Sequence, residues 1–249
     1  MITYNRNLRE IIFRLKNIVN YFTYYEEDEI CFLHIPKTAG TYFAQLESSK
    51  IKGVRYLGHT NIEGDKKIDF IEGYPKTRIP RRNIKGKIIA IARSPENWLQ
   101  SYYGHATGLE KRYEDKNHLD YKFKGRIDDL IIDIMSRDDK WPNKHGNYSK
   151  YLDSDGNFLP DILLFQECLD EGMKVLEDMG LIPKIKRSVQ RKSSKTEYLS
   201  PASRQLIKKN WKLDYDIFKY EDNVSPYYES TRGHGPNTQN KKKCSKEVQ

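Results

Sequence analysis

Short apolar runs alternate with amphipathic helical patterns along most of this chain. The apolar runs, each bounded by turn-forming residues, cover residues 30–35, 54–57, 87–92 and 162–165. The first, third and fourth runs carry Ile or Leu on both faces, as strands buried in a parallel sheet do. The helical patterns cover residues 41–49, 95–105, 127–137, 167–179 and 201–211. This alternation predicts an α/β fold of three layers, with a central parallel sheet flanked by helices.

The chain divides into three predicted segments. Residues 1–28 form an amphipathic helical segment, which is too often interrupted by charge to be a signal peptide or a membrane span. Residues 29–223 hold the α/β domain, and residues 224–249 form a polar, basic tail that we expect to be disordered. Within the domain, residues 107–125 and 138–160 are long for connections, so they are candidates for acceptor-binding loops or lids.

The charge and cysteine content limit the partners and the compartment. The net charge of +9 and the pI near 9.2 suit an anionic partner such as a nucleotide or an acidic glycan, although a solvated basic surface explains them equally well. The three cysteines, Cys31, Cys168 and Cys244, have no metal-ligand or redox spacing. We therefore expect no disulfide scaffold and no metal site. A reducing compartment fits, and with no targeting signal legible we expect a cytoplasmic protein.

The segment "HIPKTAGT" at residues 34–41 joins the first apolar run to a helical pattern. A strand that enters a tight turn at Gly40 and then a helix presents several backbone N–H groups on one side, which favours an anion. Lys37 adds a charge, and Thr38 and Thr41 add hydroxyl donors. The Lys precedes the only Gly, so this is not the nucleotide P-loop motif, in which Lys follows the second Gly. A plain strand–turn–helix with a surface Lys is the structural alternative.

The segment "RSPENWLQSYY" supplies a second candidate anion site. Arg93 ends an apolar run at the carboxyl edge, where open α/β sheets bind ligands. Ser94 and Pro95 signal a helix start, and Ser101 lies seven residues after Ser94, close to two turns, on the same face. Arg suits bidentate contact with phosphate, but an Arg at a strand end could also pair with an acid.

Taken together, the two segments resemble the PAPS-dependent sulfotransferases, the branch that includes the Golgi carbohydrate sulfotransferases and their bacterial relatives. Weaker similarity follows in "YLDSDGNFLPDILLFQECL" and "YLSPASRQLIKKNWKLDYDIFKYE", so the resemblance covers roughly residues 29–220. Within it, "FQECL" departs from the family's usual Arg-Phe-Glu-Asn-Leu and keeps Glu167 and Leu169. The resemblance implies a P-loop-like fold, with residues 29–223 as the sulfotransferase domain. It also implies that Arg93 and Ser101 bind the 3′-phosphate of PAPS. The 5′-phosphosulfate would be bound by Lys37, Thr38, Ala39, Gly40, Thr41 and Tyr42.

The implied reaction moves a sulfuryl group to an acceptor hydroxyl, expected to belong to a carbohydrate, and leaves 3′-phosphoadenosine 5′-phosphate. Lys37 would stabilise the departing phosphate, and a His near its usual pKa suits the general base. His59, which ends the second apolar run, is our choice; His145 is the runner-up and Glu63 stays open. In the family a basic, Ser-containing loop closes over the nucleotide. Here Arg191 and Lys192 in "KIKRSVQRKSSK" are its candidates, against a plain solvated loop.

Two other function classes remain as alternatives. A P-loop kinase or phosphotransferase explains the strand–loop–helix equally well, but the chain has no Gly-Lys-Ser/Thr to place Mg²⁺ and gives the Arg93/Ser101 pair no evident task. A nucleic-acid binder suits the charge. However, the positive residues are scattered and no aromatic residues are interleaved with them, so nucleic acid is not an expected partner.

Overall fold

The computed structural model describes residues 27–39, 54–56, 61–63, 78–108, 123–136, 146–153, 155–184, 197–218, 227–231 and 234–236. The strands of this part are β1 (Ile30–Leu33), β2 (Val54–Tyr56), β3 (Asn61–Glu63), β4 (Arg78–Pro80), β5 (Lys87–Ala92), β6 (Ile162–Phe165), β7 (Tyr227–Thr231) and β8 (His234–Pro236). Its α-helices are α1 (Pro95–Gly108), α2 (Ile127–Met135), α3 (Leu169–Asp178), α4 (Pro201–Asn210) and α5 (Lys212–Phe218). Short 3-10 helices span Arg81–Asn83, Tyr148–Tyr151 and Gln166–Cys168.

The main sheet has the strand order β2-β1-β5-β6-β7-β8. Its first four strands are mutually parallel, with Ile30 beside Lys87 and Ile89 beside Ile162, whereas β7 and β8 add antiparallel pairs. The α/β class with a parallel sheet and flanking helices is therefore confirmed, and each of the four predicted apolar runs contains one of the parallel strands. Strands β3 and β4 form a separate parallel pair.

Both faces of the parallel strands are buried, because alternate residues of each strand point to opposite faces. On one face Cys31, Leu33, Ala90 and Phe165 pack with Tyr151 of the 3-10 helix and with Phe218 at the end of α5. On the other face the intervening residues, among them Phe32, Ile89 and Leu164, pack under Met173 and Leu176 of α3. This two-sided burial explains why the runs contain almost no polar residues.

Helices α1, α2 and α4 share an apolar cluster beside the sheet. Trp98 of α1 and Trp211, which follows α4, are both fully buried there, 5.6 Å apart between ring centroids. The sequence "SPASRQ" starts α4 as predicted, since Ser200 caps the helix by accepting a hydrogen bond from the Ser203 amide at 3.2 Å. Asp128 of α2 accepts from both serine hydroxyls and joins the starts of the two helices.

The structure differs from the sequence-based expectations at three places. Within the expected irregular stretch 138–160, residues 148–151 form a 3-10 helix whose Tyr151 is only 1 % exposed, because its aromatic ring completes the core. Within the expected disordered tail, Tyr227–Thr231 pairs with β6; its aromatic and β-branched residues suit a strand, which the polar average of the tail obscured. Cys168 is disulfide-bonded, while Cys31 is a buried thiol outside any disulfide.

Two expected helices, at residues 1–28 and 41–49, lie outside the described residues, except that residues 27 and 28 are described as part of a turn. The helices that are described are too short or too polar to cross a membrane.

Candidate functional site

The ends of β1, β5 and β6 bring three polar segments to one edge of the sheet. These strands are neighbours and run parallel, with Leu33 beside Ala90 and Ala92 beside Phe165. Their carboxyl ends therefore meet, and the segments that follow them start with His34, Arg93 and Gln166. The two motifs of the sequence, which are more than fifty residues apart in the chain, become adjacent through this strand order.

The loop after β1 has an unusual backbone. Lys37 and Ala39 have φ angles of 67° and 66°, in the left-handed region that non-glycine residues avoid, whereas Thr38 between them does not. A chain that alternates its handedness in this way turns successive N–H groups toward one concavity, which is an arrangement that binds anions. Within the described residues, no hydrogen bond engages the Ala39 amide, so this amide is a candidate donor to a ligand.

Thr38 is placed differently from its predicted role as a hydroxyl donor. Its side chain is 1 % exposed, and its hydroxyl donates to the Ile35 carbonyl at 2.7 Å. The Thr38 amide points to the same carbonyl at 3.4 Å. The hydroxyl proton is thus used to close the turn, and Thr38 contributes to the shape of the loop.

Arg93 connects the two predicted anion sites directly. Its Nη1 donates to the main-chain carbonyl of Lys37 at 3.0 Å. Five residues later, the indole Nε1 of Trp98 donates to the carbonyl of Pro36 at 2.7 Å. Residues of the second motif therefore hold two consecutive carbonyls of the first. Lys37 and Arg93 lie on the same side of the molecule.

Ser101 lies in α1, seven residues after Ser94, and its side chain is half-buried. The start of this helix is fixed by Glu167, which follows β6. Glu167 Oε1 accepts from the Ser94 amide at 2.9 Å and from the Asn97 side chain at 3.0 Å. Its second oxygen, Oε2, is buried and accepts no hydrogen bond from the described residues. Glu167 thereby sets the position of α1, which directly follows Arg93 and Ser94 and carries Ser101 near its middle.

Glu197 ties another segment to the same helix. The Tyr103 hydroxyl donates to Glu197 Oε1 at 2.8 Å, and Gln100 Nε2 donates to the Glu197 carbonyl at 3.2 Å. Burial and the adjacent Glu197 carboxylate raise the pKa of Tyr103 to about 12, so it stays a neutral donor.

A buried carboxylate lies at the start of α5, beside residues 147 and 148. Asp214 in the first turn of α5 is 2 % exposed and accepts from the amides of Asn147 and Tyr148 at 3.2 and 3.3 Å. Burial raises its pKa from 3.8 to about 7. The residue holds the middle of the 138–160 stretch against α5. None of the described hydrogen bonds of Asp214 reaches Lys37 or Arg93.

The predicted site residues fall into two groups. Lys37, Thr38, Ala39 and Arg93 are described at one edge of the sheet, and Ser101 is described in α1, which starts at that edge. The others lie outside the described residues: Gly40, Thr41, Tyr42, His59, Arg191 and Lys192. The alternative base His145 is also outside, and Glu63 is described only as a residue of β3. Their roles stay predictions.

Two residues of this edge were missed by the sequence analysis as parts of the site. Trp98 lies inside the second motif, but an apolar ring in an amphipathic helix predicts a core position and nothing more. Glu167 was noted only as a match in "FQECL". No sequence signal connects either residue with the loop after β1, since the connection depends on the strand order.

Comparison of the chain with protein-family models, with curated proteins and with solved structures finds no match. A strained loop with a candidate amide donor, a lysine and an arginine at one sheet edge can bind an anion that carries more than one negative group.

Proposed function

We propose that this chain is a PAPS-dependent sulfotransferase with a P-loop-like fold, which moves the sulfuryl group of PAPS to an acceptor hydroxyl, expected to be that of a carbohydrate. The observation that carries the proposal is the 3.0 Å hydrogen bond from Arg93 to the Lys37 carbonyl. Two phosphate-binding motifs on different faces of the molecule could not bind the same nucleotide. The contact makes a shared ligand geometrically possible.

The loop residues fit the 5′ end of such a donor. The positive φ angles of Lys37 and Ala39 support an amide concavity for the phosphosulfate, and the Lys37 ammonium supplies a mobile positive charge. In sulfuryl transfer, as in phosphoryl transfer, the protein contributes mainly in-line positioning and charge neutralisation. Lys37 would stabilise the phosphate that leaves, since charge develops on that group in the transition state.

Arg93 and Ser101 fit the 3′-phosphate. One N–H donor of the guanidinium holds the Lys37 carbonyl, and the planar, permanently charged group suits bidentate contact with a phosphate. Ser101 lies on the same face of α1 as the preceding Ser94, and its hydroxyl can donate a hydrogen bond. Arg191 and Lys192 are proposed to close over the nucleotide. His59 is proposed as the base that takes the acceptor proton, with His145 and Glu63 as the other candidates.

Calorimetry tests the donor site first. 3′-Phosphoadenosine 5′-phosphate should bind without metal, and ATP should bind much more weakly. Arg93→Ala should weaken the bisphosphate about 10- to 100-fold, because charge-assisted hydrogen bonds contribute roughly 1.5–3 kcal/mol. Arg126→Ala is the matched control, since this exposed arginine pairs only loosely with Asp129 at 3.7 Å. Equal loss in both variants would contradict a specific role for Arg93.

Transfer itself is tested with radiolabelled PAPS and a panel of glycans. Lys37→Ala and His59→Ala should abolish most transfer, whereas Lys174→Ala on the exposed surface of α3 should leave it unchanged. Transfer that survives Lys37→Ala undiminished would remove the assigned role of Lys37. Tight binding of Mg²⁺-ATP instead of the bisphosphate would favour the phosphotransferase alternative, and steeply salt-dependent binding to DNA or RNA would favour a nucleic-acid binder.

A further inference from the structure

The loop after β1 holds a conformation that its own residues disfavour. The left-handed region costs a non-glycine residue about 1–2 kcal/mol, and both Lys37 and Ala39 occupy it. Such a backbone persists only where surrounding contacts determine it. The contacts that hold this loop therefore decide whether an anion site exists.

Three consecutive carbonyls of the loop are engaged, each by a different donor. The Ile35 carbonyl accepts from the Thr38 hydroxyl, the Pro36 carbonyl from Trp98 Nε1, and the Lys37 carbonyl from Arg93 Nη1. The first bond is internal to the loop. The other two come from the segment that starts at the end of β5, and the Trp98 bond, at 2.7 Å, is the shorter of them.

Trp98 is suited to hold this carbonyl because its ring is fixed. The side chain is fully buried, and it stacks on Tyr102 with ring centroids 5.3 Å apart and an interplanar angle of 11°. Trp211 packs against it at a tilt. In addition, Glu167 holds the helix turn that precedes Trp98, through the Ser94 amide and the Asn97 side chain. The indole N–H consequently has a fixed direction, toward the Pro36 carbonyl.

We propose that Trp98 is a positioning residue for the anion site, which it orders by fixing the peptide between Pro36 and Lys37. The peptide unit is planar and trans, so its C=O and N–H point in opposite directions. When Trp98 holds the Pro36 carbonyl toward α1, the Lys37 amide turns away from α1, into the concavity of the loop. This role deepens the proposed function and rests on it for the identity of the ligand, a nucleotide 5′-phosphate.

Trp98→Phe tests the role, because it removes the N–H donor and keeps an aromatic ring in the stack. Trp211→Phe is the matched control in the same apolar cluster. Both variants should lower the urea midpoint of unfolding. Only Trp98→Phe should weaken the binding of 3′-phosphoadenosine 5′-phosphate, by about tenfold, because one hydrogen bond is lost. Adenosine 3′-monophosphate, which lacks the 5′-phosphate, should bind Trp98→Phe as it binds the unsubstituted protein.

Trp98→3-benzothienylalanine is the second variant, since it preserves the bicyclic shape and replaces the N–H with sulfur. It should reproduce the binding change of Trp98→Phe with a smaller loss of stability. Equal weakening of both nucleotides, or equal weakening in Trp98→Phe and Trp211→Phe, would overturn the positioning role and leave Trp98 as a core residue.

Amide hydrogen exchange separates this proposal from the proposed function. Exchange of a peptide that covers residues 35–39 should accelerate in Trp98→Phe and not in Trp211→Phe, whether or not a nucleotide binds. If the unsubstituted protein binds neither nucleotide, the proposed function fails, and the exchange rates still decide the positioning. Unchanged exchange in both Trp98 variants would overturn it.

Discussion

Asp214 predicts an unusual dependence of stability on pH. The residue is 2 % exposed in the first turn of α5, and burial raises its pKa from 3.8 to about 7. One pKa unit corresponds to about 1.4 kcal/mol, so this shift corresponds to roughly 4 kcal/mol. Because the folded state binds the proton more tightly, the stabilisation is fully present below pH 4 and is lost as the pH rises to about 7.

The assay is urea unfolding of the unsubstituted protein and of Asp214→Asn between pH 4 and pH 8. Other groups contribute to both curves, so the informative quantity is the difference between the two free energies of unfolding. Asn is a neutral side chain of the same shape, but its NH₂ group faces one of the two backbone amides. This unfavourable contact lowers the free energy of unfolding by the same amount at every pH. The difference should therefore fall by about 4 kcal/mol between pH 4 and about pH 7, and it should then stay level up to pH 8.

Asp128→Asn is the control with the opposite sign. The Ser203 hydroxyl, more than any other group, lowers the pKa of Asp128, with further hydrogen bonds from Ser200. Its contribution is present above the usual pKa of an aspartate and is lost as the pH falls below it. A difference curve for Asp214→Asn that is flat between pH 4 and pH 7 would refute the burial argument for Asp214.

Three further predictions concern other described contacts. Gly146→Ala should lower the free energy of unfolding in urea by about 2–4 kcal/mol, since Gly146 has φ +79° and a Cβ would stand 2.2 Å from Asp214 Oδ2. Gly156 has φ +84° but open space around it, so Gly156→Ala should cost only the strain of the backbone, about 1–2 kcal/mol. Ser200→Ala should cost about 1–2 kcal/mol through loss of the α4 cap, and Ser149→Ala, which is exposed, should cost almost nothing. Iodoacetamide applied to the unfolded, unreduced chain should modify Cys31 and spare Cys168, as read by peptide mass spectrometry; modification of Cys168 would contradict its disulfide.

The buried strands and most of the described helices were predictable from the sequence. A strand covered on both faces needs a continuous apolar run, and β1, β5 and β6 have such runs. Helices α1, α2, α3 and α4 begin within two residues of the predicted starts, because caps and apolar spacing are local signals. Helix α5 was missed, since it follows α4 with only Trp211 between them and no breaker. Strands β3, β4 and β8 are three residues each, too short for a periodic signal.

By itself, the sequence determined which residues can serve an anion site: a lysine and threonines around a glycine, and an arginine at a strand end. Only the tertiary structure decided that these residues meet, because the parallel pairing of β1 with β5 brings the Arg93 guanidinium to the Lys37 carbonyl. The same pairing made Trp98 a neighbour of the loop after β1, and the pairing of β5 with β6 placed Glu167 beside the start of α1. The physical reason is that backbone propensity and apolar spacing act over a few residues, whereas a hydrogen bond between distant segments depends on strand order.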